Sequence, residues 1–240
     1  MILTAHQPSY LPWLGLFHKI ALADKFVVFD QVQYVPKDWI SRNDIKTANG
    51  PLTLTVPVLT TGHREKIIAE MEIHNELPWA RKHWKSISAA YRQAPYFKTY
   101  ADFFEETYKR DWKLLADLDL HMLEWFLKTL GIATSVERAG SYRFQGAKSE
   151  LVVDMCRQLK ASVYVFGALG KDYADAEAFK RAGVIPLFQD YKHPVYKQLH
   201  GEFKPYMSVV DLLFNEGPRS LDIIMSGNVE KAALESARCA

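Results

Sequence analysis

The chain predicts an α/β fold: a mainly parallel, Rossmann-like sheet flanked by helices, with a central helical insertion at about 77–131. Three observations carry this. A β-prone run, Ile2 to Ala5, breaks at His6-Gln7-Pro8; Leu14, Phe17, His18, Ala21 and Leu22 then recur at helical spacing, and a second apolar run, Phe26 to Phe29, closes on Asp30. A second βαβ-like unit runs through Val163-Tyr-Val-Phe166, a helical stretch from Ala176 to Ala182, and Val184 to Phe188. Between the two units lie long helical patterns in place of further strand pairs. No repeat, low-complexity tract or linker divides the 240 residues, so one domain is expected.

Taken in order, Ile2–Ala5 is a strand that Pro8 prevents from continuing as a central one. Residues 31–46 read as a polar, aromatic-rich loop, and Asn49-Gly50 as a turn. Leu52 to Val58 alternates like a strand, which Pro57 assigns to an edge, and Lys66 to Ile73 reads as a further strand. Helices are expected over Pro78–Ala94, Tyr100–Tyr108 and Lys113–Leu130, the last closed by Gly131. Lys148 to Leu159 is a helix that places Cys156 in the core, and Ser208 reads as a helix cap.

Thirty basic against 28 acidic residues leave a net charge of +2, too balanced for electrostatic binding of DNA or anionic lipid. Two cysteines exclude a disulfide framework, and no apolar run approaches the roughly 18 residues of a membrane span. A soluble, cytoplasmic protein is expected. No Cys pair, H-E-x-x-H motif or Asp-rich loop provides a metal site. Gly167-x-x-Gly170-Lys171 lacks the full spacing of a phosphate loop, since Asp172 follows the lysine. Aromatic residues make up 13% of the chain, and many lie beside amides or arginines, a composition suited to sugars and nucleotides.

The candidate chemistry follows from position, because ligands of open α/β sheets bind beyond the carboxyl ends of the strands. His6, after the first strand, is a candidate general base near neutral pH, and Asp30, after the second, its orienting partner or an ammonium ligand. Arg42, Asn43 and Lys46 form a donor cluster for phosphate or carboxylate, with a solvated loop as the competing reading.

The blocks His6-Gln7-Pro8-x-Tyr10-Leu-Pro12-Trp13-x-Gly15, Asp30-x-x-Gln33, Arg42-Asn43-x-Ile45-Lys46 and Tyr91-x-x-Ala94-Pro95-Tyr96-Phe97 stand in order along the chain. With Gly167 to Tyr173, Tyr196-x-Gln198 and the Ser208, Asp211 and Asn215 segment, they resemble the WbqC-like family of bacterial and archaeal proteins. The resemblance implies a role in surface-polysaccharide (O-antigen) gene clusters: joining an amino acid such as glycine, or another acyl group, to a nucleotide-linked amino sugar. ATP or an activated acyl or aminoacyl donor, an aminoacyl-tRNA among them, would supply the group. Such a reaction would use His6 and Asp30 catalytically. Gln7, Arg42, Asn43 and Lys46 would hold phosphate or oxyanion, and Tyr10, Tyr91, Tyr173 and Gln198 would line the sugar site, with Gln33 a further substrate-binding candidate and Asp211 and Asn215 as second choices. Two alternatives stay open: an ATP-dependent ligase resembling nucleotidylyltransferases, and a non-catalytic scaffold that binds the sugar nucleotide. The exposed edge at Leu52–Val58 leaves a homo-oligomer open as well.

Overall fold

The computed structural model describes residues 1–61, 66–172 and 174–239. Five parallel strands form the main sheet: β1 (Ile2–His6), β2 (Lys25–Val28), and, after the hairpin strands β3 (Arg42–Thr47) and β4 (Gly50–Thr55), β5 (Ser135–Arg138), β6 (Val163–Phe166) and β7 (Ile185–Phe188). Their spatial order is β5-β2-β1-β6-β7, and every pairing in it is parallel. The chain therefore builds outward from β1 in one direction and then returns to its other side with β6. That reversal is the doubly wound arrangement, and its switch point lies between β1 and β6.

Both faces are covered, so consecutive strand residues enter different cores. Phe26 and Val28 join the larger cluster, on the side of α1 (Leu14–Ala21), while Val27 joins a second, with α5 (Ser149–Gln158) and α6 (Ala176–Arg181). Helix α1 is buried from Leu14 through Ile20, charged residues included. Three helices, α2 (Trp79–Tyr91), α3 (Phe97–Lys109) and α4 (Leu115–Leu130), occupy the connection between β2 and β5, where the helical insertion was expected. Gly131 closes α4 at φ 74°, the left-handed cap its position predicted. Helix α7 (Val209–Glu216) is capped by Ser208, whose Oγ accepts from Val210 N, and is followed by α8 (Ser220–Met225) and α9 (Lys231–Cys239). No helix among the described residues is long and apolar enough to cross a membrane.

Three local expectations need correction. Residues 42–46, read as loop, belong to β3 and pair antiparallel with β4. Residues 66–73, read as a strand, carry a 3-10 turn at Ile68–Glu70 with bridges at either side: Ile68 and Met71 are buried, and their backbone groups bond to Val32, to each other and to Leu115 at the start of α4. Strand β5 passed unnoticed in the sequence.

Candidate functional site

A cleft of about 790 Å³ opens at the switch point, walled by the ends of β1 and β6, the segment after β7, Gly15, Leu16 and Lys19 of α1 and residues of α5. His6 ends β1, is exposed, and lines this cleft. Its Nδ1–H donates to the Gln7 carbonyl at 2.8 Å, which leaves Nε2 with a free lone pair. Lost hydration, and the neighbouring Lys19 ammonium, lower its pKa to about 4, against the smaller opposing effect of the bond to Gln7. The ring is therefore neutral at pH 7.

Lys19 lies on the last turn of α1, four residues after Gly15, so both present the same face to the cleft. Its side chain is only 4% exposed, its Nζ donates to the Ala5 carbonyl at 3.0 Å, and burial lowers its pKa to about 8. Gln189, just after β7, donates from Nε2 to the Gly15 carbonyl and to His18 Nδ1, each at 2.8 Å. His18 in turn donates from Nε2 to the Val229 carbonyl at 3.0 Å, so both its nitrogens are engaged. The aromatic wall is Trp13 packed edge-on against Tyr191, ring centroids 5.5 Å apart. Gly15 is needed beneath it: a Cβ there would stand 2.2 Å from the Trp13 indole. Gly170 does the same under Phe166, where a Cβ would lie 2.4 Å away.

Of the residues singled out in the sequence, His6 and Gln7 line the cleft. Asp30 does not pair with His6: its fully buried carboxylate receives Arg138 Nε at 2.7 Å and Gln31 Nε2 at 3.0 Å, and Arg138 also reaches Asp117 at 2.8 Å. This ion pair clamps the end of β2 to the end of β5. Tyr10 is fully buried, its hydroxyl bonded to His83 Nδ1 at 2.8 Å and to the Tyr108 hydroxyl. Asn43 ties the hairpin to the loop after β1, donating to the Leu11 carbonyl at 2.7 Å. Arg42 is half-buried with its guanidinium over the Trp39 ring, and Gln33 is exposed, bridged to Ile67.

Lys46, Tyr91, Gln198, Asp211 and Asn215 do come together, in a buried network apart from the cleft lining. Asp211 accepts from the Tyr91 hydroxyl at 2.9 Å and the Tyr196 hydroxyl at 2.8 Å, and burial raises its pKa against those two donors. Tyr91 also accepts from Lys46 N, Gln198 donates to the Tyr196 hydroxyl, and Asn215 donates to the Asp211 carbonyl at 2.7 Å. Lys46 Nζ reaches the Glu202 carbonyl at 2.5 Å. Tyr173 lies outside the described residues.

Lys19, Gln189, Trp13 and Tyr191 are the cleft residues that sequence reasoning did not assign. A trace of Lys19 was present, since it interrupts an otherwise apolar helix next to the Gly15 marker. A doubly wound parallel sheet with a cleft at its switch point, lined by a histidine from the first strand, defines the class: an α/β protein whose candidate site lies where such sheets bind their ligands. The model of the WbqC-like protein family matches residues 7–223, and the chain belongs to that family. It is 34% identical over 220 residues to "Uncharacterized protein Rv1507c" of Mycobacterium tuberculosis, covering 91% of this chain and 95% of that one. No solved structure matches it.

Proposed function

We propose that this protein is an enzyme of surface-polysaccharide assembly that attaches an amino acid such as glycine, or another acyl group, to the amine of a nucleotide-linked amino sugar. The amine nitrogen attacks the acyl carbon, the bond to the donor's leaving group breaks, and the amine's proton passes to His6 Nε2. The observation that carries this reading is the His6 ring, neutral at pH 7, with Nε2 unbonded and open to a cleft large enough for substrate. Gln7 and the aromatic pair Trp13 and Tyr191 bind the acceptor. Asp30, Lys46, Tyr91, Asp211 and Asn215 act by holding the walls in place. Binding of ATP through a second histidine is disfavoured, because both His18 nitrogens are occupied.

Mass spectrometry tests this. Nucleotide-linked amino sugars are incubated with the purified protein and glycine plus ATP, aminoacyl-tRNA or acyl-CoA. The expected result is a new amide-linked sugar that His6→Ala abolishes while keeping the native melting temperature. Tight sugar-nucleotide binding that survives His6→Ala, with no product from any mixture, would replace the enzyme by a binding scaffold.

A further inference from the structure

Several partly or fully buried cations among the described residues have a counterpart. Arg138 sits between Asp30 and Asp117, Lys25 meets Glu137, Lys231 meets Asp24, and Lys46 lies on two loop carbonyls with Asp211 nearby. Lys19 differs. It is 4% exposed, makes one hydrogen bond to a neutral carbonyl, and has no carboxylate within salt-bridge distance among the described residues. An ammonium has three N–H donors, so two remain, and burying an unpaired charge is costly. The remaining charged residues on the cleft wall, Lys148 and Asp190, are exposed.

Two further polar groups of the same cleft are unengaged. The Gln7 side chain has no hydrogen-bond partner among the described residues, and the Tyr191 hydroxyl is buried without one. A ligand that satisfies Lys19 and Gln7 brings an anion and an acceptor, while Tyr191 offers its ring. It also has room: the volume of about 790 Å³ lies within the ordinary range for drug-sized ligands.

We infer that Lys19 is the anchor of a phosphoryl group, and that the cleft takes a nucleoside diphosphate with its diphosphate on Lys19 and a ring against Trp13 and Tyr191. This deepens the reading above, since it assigns the nucleotide half of the acceptor to the same cleft. It also gives the anion a second effect: it offsets the Lys19 charge, which is, after lost hydration, the next cause that lowers the His6 pKa.

Calorimetry with inorganic pyrophosphate and with uridine diphosphate tests this on wild type, Lys19→Met and Lys148→Met. The expected result is saturable binding that weakens at least tenfold in Lys19→Met and less than threefold in Lys148→Met. Sodium acetate serves as the carboxylate arm: binding of acetate but not of either phosphate would overturn the phosphoryl assignment. Unchanged phosphate affinity in Lys19→Met, or no phosphate binding by wild type, would overturn the anchor. If that variant does not fold, wild type is reductively methylated with and without pyrophosphate and digested; protection of Lys19 supports the proposal, and equal modification sinks it. The proposal does not depend on turnover. Nucleotide binding through Lys19 without amide formation would sink the transferase and leave the anchor standing.

Discussion

Asp119, on α4, provides the sharpest test of how this core is built. It is 1% exposed, neither carboxyl oxygen has a hydrogen-bond partner among the described residues, and burial raises its pKa well above the ordinary carboxyl range. It shares the lining of a space of about 10 Å³ with Leu16, Phe26, Val28 and Leu123, and with Gln7 and Ser9. A raised folded pKa means that the native state holds the proton more tightly than the unfolded chain. Stability is therefore fully present below the unfolded carboxyl pKa of about 3.9 and falls as pH rises from there toward the folded value. Every tenfold tightening of the proton is worth about 1.4 kcal/mol, or roughly 3–6 °C in Tm for a chain of this length. Asn cannot ionise, so Asp119→Asn removes that slope. Its buried amide adds a cost of about 1–3 kcal/mol, but one that does not vary with pH. His6 and His83, both lowered to about 4, act in the opposite sense, making the protein more stable as pH rises from about 4 to 6.5, and subtraction of the two curves cancels them. The assay is thermal unfolding of both proteins at half-unit steps from pH 4.5 to 8. Asp119→Asn should gain on wild type steadily with pH, by several degrees across the range. A difference in Tm that stays constant would refute the account of Asp119 as a buried neutral acid.

His6→Ala should lower turnover by roughly 10²–10⁴-fold with little change in Tm. In the free wild-type enzyme, the acid limb of kcat/KM should fall near pH 4 and not near 6.5, as a pH–rate profile would show. Arg138→Met leaves the Asp30 carboxylate buried without its cation. Because Arg138 is itself 34% exposed, the cost is reduced to about 2 kcal/mol, measurable by urea denaturation. Tyr91→Phe removes one of the two hydroxyl donors to Asp211 and should cost about 1–2 kcal/mol while leaving kcat/KM within a factor of three.

How much could be read from the sequence depended on whether apolar residues marked the element. Strand β6 is fully buried, Val-Tyr-Val-Phe, and its pattern is unmistakable. Strand β3, Arg-Asn-Asp-Ile-Lys-Thr, buries Asn43 and Lys46, polar residues satisfied by loop carbonyls, so no alternation of hydrophobicity betrays it. Strand β5 lies at the edge of the sheet with only Val136 apolar among its four residues. The site followed the same logic. His6 and Gln7 were legible because a proline-broken strand end is where a parallel sheet places its ligand. Lys19 was not, since a lysine in a helix is by default assigned to solvent.

The polar residues that looked like substrate ligands, Lys46, Tyr91, Gln198 and Asp211, are better understood from what they hold. Gln198 bridges to Lys204 N and to its carbonyl, closing the segment between them into a loop. Tyr196 fastens that loop to Asp211 on α7, Tyr91 fastens Asp211 to the insertion, and Lys46 fastens the hairpin to carbonyls 201 and 202. The segment that leads into this loop begins directly after β7, with Gln189 and Tyr191, the far wall of the cleft. A network of satisfied buried polar groups rigidifies what it joins, and here it joins three elements to one wall. Its residue types resemble those of a binding site because both tasks need directed hydrogen bonds, and only the partners distinguish them. Loss of Tyr91 should therefore loosen the cleft through its wall: a lower Tm with affinity for uridine diphosphate nearly intact, whereas a large loss of affinity at unchanged Tm would return Tyr91 to the binding site.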